Sequence, residues 1–186
     1  PCELMVMIAD KPYIDVRASF NSLIPKDIPK RSRNKLMKYY LEKLVHYPEL
    51  QDKVEFSVLF TCYDLAFDER VLELRRSGFC EDDVKYLREN LLELTNKLFR
   101  GFRQILTECI EKVRNLESYR LIATEIARSE PSSVVQILGR AHDLLTQCRD
   151  LGALSFAELA RLAFIGRSLF DSMLKQSIVT RGFYDG

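Results

Sequence analysis

From Val84 to Leu116 the apolar residues recur at steps of three and four. Val84, Leu87, Leu91, Leu94 and Leu98 are followed by Phe102, Ile105, Cys109, Val113 and Leu116 with slight drift. Residues at those spacings share one helix face, so the stretch is expected to be a long amphipathic helix that packs on other helices. A sandwich or barrel with many turns is excluded further by the chain's few breakers, 7 Gly and 6 Pro in 186 residues. The end of this helix is left open by the sequence. Gly101 or residues 115–118 can break it, or it can run to Arg128. The expected fold class is mainly α with a small antiparallel β-sheet near the N-terminus (α+β), the helices from residue 81 onward forming a bundle or a long helical hairpin.

The sheet is expected from three runs. Leu4 to Ile8 is apolar, Asp10-Lys11-Pro12 can turn the chain, and Tyr13 to Phe20 alternates roughly. Residues 54–62 are rich in β-branched and aromatic residues and alternate at first, which reads as the clearest strand. Between these runs Leu36, Tyr39, Tyr40, Leu44 and Tyr47 mark a helix from about Pro29 to His46, ended by Pro48. Asp68 is positioned to cap a short helix that stops at Ser77-Gly78. Ser132 or Ser133 would cap another that ends near Gly152. Ser155-Phe156-Ala157-Glu158 fits a capping box. The helix it would open is apolar nearly all round, which suggests a buried central helix with Ala160, Ala163 and Gly166 allowing close approach. The expected division is residues 1–66, a small sheet with one helix, and residues 67–186, a helical bundle, together one compact unit.

Charge gives little direction, because 28 basic residues face 27 acidic ones. Five cysteines at 2, 62, 80, 109 and 148 show no CxxC spacing, so neither a zinc site nor a disulfide framework is signalled. Cys109 and Cys148 lie in apolar helical patterns and read as small core residues. No signal peptide is visible, and the apolar stretch from Leu159 to Phe170 is interrupted by Arg161 and Arg167. A cytoplasmic chain with no membrane partner is expected. The start at Pro1 and the aromatic ending Phe183-Tyr184 read as cuts, so the chain is expected to be a piece of a larger intracellular protein.

No catalytic centre and no metal site can be named. There are two histidines, His46 and His142, and neither belongs to an HxxxH or ExxH pattern. No GxxxxGK loop and no GxGxxG fingerprint occurs. Both histidines read as structural or exposed. Residues 26–43 carry seven basic side chains against Asp27 and Glu42. Such a patch can hold phosphates, but no aromatic platform for stacked bases accompanies it, and a solvated helix face is the favoured reading, so nucleic acid is not the expected partner. More informative are Asp15, Arg17, Ser19 and Asn21. In an extended strand their spacing of two puts all four on one face, an acid, a base, a hydroxyl and an amide that could bind a substrate.

These residues also carry a resemblance. The segment from Pro12 to Pro25 resembles part of the large proteins related to phosphoenolpyruvate synthase and pyruvate phosphate dikinase. Further similar stretches lie downstream in order: Lys35 to Leu44 with its Tyr-Tyr-Leu, Pro48 to Phe56, Phe60 to Tyr63, Leu94 to Asn96, and Phe156 to Arg161. Together they cover most of the chain. The resemblance implies a non-catalytic central module positioning an ATP-grasp domain and a phosphohistidine domain. Those other domains of the same chain would be its partners. ATP and Mg would be cofactors of the parent phosphotransferase and not of this piece. The family's phosphohistidine lies in a Gly- and Thr-rich loop, a setting that neither His46 nor His142 has. The alternative is a helical protein-interaction module of a regulatory protein.

Overall fold

The computed structural model describes residues 5–129 and 133–185. Among these residues the architecture is mainly helical, with a single two-stranded antiparallel sheet. The sheet is a hairpin: β1 (Met5–Ile8) pairs with β2 (Lys11–Ile14), with Met5 opposite Ile14 and Ile8 opposite Lys11. Ala9 and Asp10 form its turn, both at positive φ (49° and 57°). Helix α1 (Val16–Leu23) comes directly after it, then α2 (Lys30–His46), α3 (Phe67–Arg76), α4 (Glu81–Ser129), α5 (Val134–Gln147), α6 (Leu154–Lys175) and the short α7 (Arg181–Asp185).

The expected second strand over 13–20 is therefore a strand only to Ile14. Asp15 is extended and its carboxylate accepts the Ala18 amide at 3.0 Å, which starts a helix instead. Phe20, Leu23 and Ile24 then lie at helical spacing and turn inward, with Phe20 and Ile24 buried and Leu23 packed beside them. The expected strand over 54–62 is absent as well. Residues Pro48–Lys53 form a 3₁₀ helix and Val54–Val58 a turn of π-helix, closed by the Leu59 amide on the Val54 carbonyl at 2.9 Å. The hairpin is local, and residues 54–62 take no part in it.

The connector beyond the π-turn accounts for the strand-like sequence. Val58, Leu59, Phe60, Thr61 and Cys62 are all buried, so every side chain of the run must be compatible with a core. A buried connector without a strand partner still needs partners for its backbone, and side chains provide them. The Phe60 amide donates to the Tyr40 hydroxyl at 3.2 Å, and the Tyr63 amide to the Thr95 hydroxyl at 2.9 Å. The Leu59 carbonyl accepts from the Arg70 guanidinium, and the Leu65 amide donates to Ser172 Oγ at 3.3 Å. Around this connector lies the core, with Leu36 and Tyr40 of α2, Phe67, Val71 and Leu74 of α3, and Val84, Leu87 and Leu91 of α4.

α3 stops where expected. The Gly78 amide reaches the Arg75 carbonyl, the Phe79 amide reaches the Leu74 carbonyl, and Gly78 supplies φ of 85°. Its cap is Ala66 and not Asp68, which instead pairs with Arg88. α4 is continuous for 49 residues, passing through Gly101 and Asn115 without a break. Ser133 caps α5 in a full capping box with Gln136, while the alternative Ser132 lies outside the described residues. The chain then continues into α6 through a π-helical segment, Cys148–Ala153, with no new helix start. The capping box expected at Ser155 is consequently not formed. Ser155 Oγ is buried and has no hydrogen-bond partner among the described residues, and Glu158 turns to Cys109 Sγ (3.3 Å) and Lys112 Nζ (3.4 Å).

α6 is also not the central core helix. Of its apolar side chains Ile165 is buried, whereas Phe156 is 73% and Phe170 45% exposed. Close approach occurs at Gly152, where a Cβ would stand 3.1 Å from Leu116 Cδ2, and not at Gly166, which has open space. By their contacts the residues fall into two units, one up to Lys97 together with those from Phe164 onward, the other Leu98–Ala163. The division lies within α4 and α6, away from the expected 66/67 boundary.

Candidate interaction surface

Of the four residues aligned by the strand reading, the structure keeps two together. Asp15 is the cap of α1 and is committed to the Ala18 amide. Arg17 and Asn21 are one helical turn apart, both exposed, and share a face. Ser19 lies about 160° round the helix from Arg17 and is half-buried. The row of four is thus replaced by a cap, an exposed Arg/Asn pair and a separate hydroxyl.

Four of the seven basic side chains in residues 26–43 make intramolecular contacts. Arg33 donates to the carbonyls of Pro25 (3.2 Å) and Lys26. Lys35 binds Asp83 at 2.7 Å and the Gly78 carbonyl at 2.7 Å, and lies over the Phe79 ring. Lys43 binds Glu73 at 2.8 Å and lies over Tyr39, and Lys38 pairs with Glu42 at 3.6 Å. An open cleft of about 360 Å³ runs along this face of α2, lined by Lys35, Lys43, His46, Tyr47 and Glu73 among others. Its lysines are already paired with carboxylates, so it carries little net positive potential for an anion. His46 is exposed, with Nδ1 2.6 Å from the Glu42 carbonyl, and His142 is exposed too.

The buried ionisable groups are structural in their chemistry. Burial disfavours the charge on Asp83, but hydrogen bonds from Lys35, Ser32 and Cys80 outweigh it and hold the carboxyl well below its usual range. At Asp64 burial wins over Arg70 and the Ala66 amide, and the carboxyl is pushed up. Burial likewise pushes the Cys62 thiol to about 11 and the Tyr40 hydroxyl to about 12. A nucleophilic cysteine needs the opposite displacement. Cys109 is buried as expected, whereas Cys148, at the start of the π-helical segment, is exposed and is not a core residue. Cys2 lies outside the described residues. Among the described residues no group of three or more His, Cys, Asp or Glu side chains could hold a metal ion. No described helix is long and apolar enough to cross a membrane.

The unit Leu98–Ala163 is where the surface is unusual. Cys109 and Ser155 are its buried residues among those described. Phe99, Phe102, Ile110 and Val113 on α4 are 41–63% exposed, and Val134, Val135, Leu138 and Leu145 on α5 are 63–78% exposed. A pocket of about 510 Å³ between Asn115, Tyr119, Ile122, Gln147 and Leu151 adds to this surface. Isolated exposed apolar side chains are ordinary, but contiguous ones mark surfaces that meet other molecules or other domains. Of these residues the sequence pattern includes Phe102 and Val113 alone and reads them as part of a core stripe, since periodicity by itself does not say whether the facing helix belongs to the same unit. Comparison with known proteins finds no matching family model, no matching curated protein and no matching solved structure.

Proposed function

We propose that this chain is a non-catalytic docking module. The observation that carries the reading is the exposed apolar surface of α4 and α5 in the unit Leu98–Ala163, which buries almost nothing of its own. The sequence resemblance gives the reading a specific form. The module would be the central region of a phosphoenolpyruvate synthase-like phosphotransferase, its partners the ATP-grasp and phosphohistidine domains, with ATP and Mg used by those domains. The partnered lysines of residues 26–43 favour protein over nucleic acid as the partner. Arg17 and Asn21 remain the residues proposed to touch a substrate of the parent protein, since an Arg fork and a neighbouring amide can hold a carboxylate or phosphate.

Incubation of the chain with labelled ATP or labelled phosphoenolpyruvate tests the reading. The chain is expected to stay unlabelled. Acid-labile label on His46 or His142 would overturn the docking reading and make it a phosphotransfer domain. In the parent protein, Arg17→Lys and Asn21→Ala are expected to lower phosphotransfer without changing the melting of this chain. Unchanged turnover in both would return them to an ordinary helix surface.

A further inference from the structure

The apolar stripe on α4 within the unit Leu98–Ala163 has a defined width and a charged border. Phe99, Phe102, the half-buried Leu106, Ile110 and Val113 succeed one another at steps of 3, 4, 4 and 3. At about 100° per residue they fall within about 80° of the helix circumference. The adjoining face, with the buried Cys109 and with Lys112 on Glu158, is the one packed on the start of α6. The stripe is thus a second seam beside the used one, and three of its large side chains are nearly half exposed or more: Phe99 at 63%, Val113 at 48% and Phe102 at 47%.

On the open border of this seam stand Arg100, Arg103 and Arg114, all exposed. The acids of the same stretch are placed further round. Glu108 lies on the opposite side of the helix and accepts Gln104 Nε2 at 2.8 Å, and Glu111 lies beyond the arginines. In paired helices the residues flanking an apolar seam meet the flanks of the partner and set which partner is accepted. A second copy laid antiparallel along the seam would bring the arginine border of one chain against that of the other, which is repulsive. A parallel copy would need the border already covered by α6. Charge complementarity therefore selects a different occupant.

We propose that this seam receives an amphipathic helix whose apolar face is bordered by carboxylates. The inference rests on the docking reading and supplies the chemistry of the partner. The apolar anchors give the contact its energy, and the three arginines give it direction and make it weaken with salt.

The test uses the whole chain and two synthetic helical peptides of about 20 residues, each with leucines at heptad a and d positions. One peptide carries Glu at the flanking positions and the other carries Lys. The Glu peptide is expected to bind about tenfold more tightly at low salt, the sum of a few exposed ion pairs. The margin should shrink at about 0.5 M salt. Arg103→Glu with Arg114→Glu should reverse the preference. Val113→Ser with Phe99→Ser should weaken both peptides while the circular dichroism stays unchanged. Equal affinity for the two peptides, no binding of either, or sedimentation showing that the chain covers this seam by pairing with itself would overturn the proposal. These outcomes are separate from histidine labelling, which tests the docking reading itself.

Discussion

Asp83 shows how a single side chain holds separate segments together. Its carboxylate takes the Ser32 hydroxyl (2.7 Å) and the Lys35 ammonium (2.7 Å) from α2, and the Cys80 amide (3.2 Å) ahead of α4. Asp83→Asn is expected to lower stability by about 1.5–3 kcal/mol at pH 7, the usual value of hydrogen bonds to a charged group, measured by urea unfolding. The sign of the pH dependence is set by the lowered folded-state value. The contribution is fully present above the unfolded Asp value of about 3.9. It is lost as pH falls through that value towards the lower folded one, because the unfolded chain takes the proton first. The difference between the two proteins should therefore be constant from neutral pH to about pH 5 and shrink below about pH 4. A constant difference down to about pH 3 would show that Asp83 does not hold its charge there. None of this is legible in the sequence, where Asp83 is one of three consecutive acids at a helix start. Asp15, by contrast, stands out in the sequence, but as a member of a strand face; its role as a cap depends on the backbone leaving the extended region immediately afterwards.

Among the elements, the hairpin and the long helix rest on opposite kinds of signal. The hairpin β1–β2 is exposed along its whole length, so its backbone pairing and its turn must hold it. That turn places Ala9 at φ 49°, a conformation that costs a residue with a Cβ about 1–2 kcal/mol. Ala9→Gly is expected to relieve about 1 kcal/mol and to slow amide exchange of the Met5–Ile14 segment about fivefold. Exchange that does not change would mean the left-handed turn is not populated. Helix α4 is legible as an element because its pattern is long and repetitive, but its length is not. A lone Gly costs only about 1 kcal/mol in a helix interior, too little to predict a break at Gly101. The false strand over 54–62 has the reverse origin. Val58 to Cys62 read as strand because the connector they form is buried on all sides, and a two-residue alternation over so short a run does not distinguish a sheet from a buried connector.

At the scale of the molecule, burial is uneven, and local stability should track it. The core around Leu36, Tyr40, Phe67, Leu74, Leu87 and Leu91 is nearly sealed, while α5 has no buried residue. Native-state hydrogen exchange should show the amides of α5 opening well before those of residues 36–40 and 84–91. Equal protection would contradict the idea that α5 presents an unpartnered apolar face. The sequence by itself determined the helical class, the approximate position of most helices, the first strand and the stop of α3 at Gly78, because these depend on residue spacing and on local backbone preferences. Only the tertiary structure decided that Val58 to Cys62 is a connector fed with side-chain hydrogen bonds, that α6 is half exposed, and that Arg17 and Asn21 share a face without Ser19. Those outcomes depend on which apolar faces meet and which backbone groups lack partners, and residues far apart in the chain settle both.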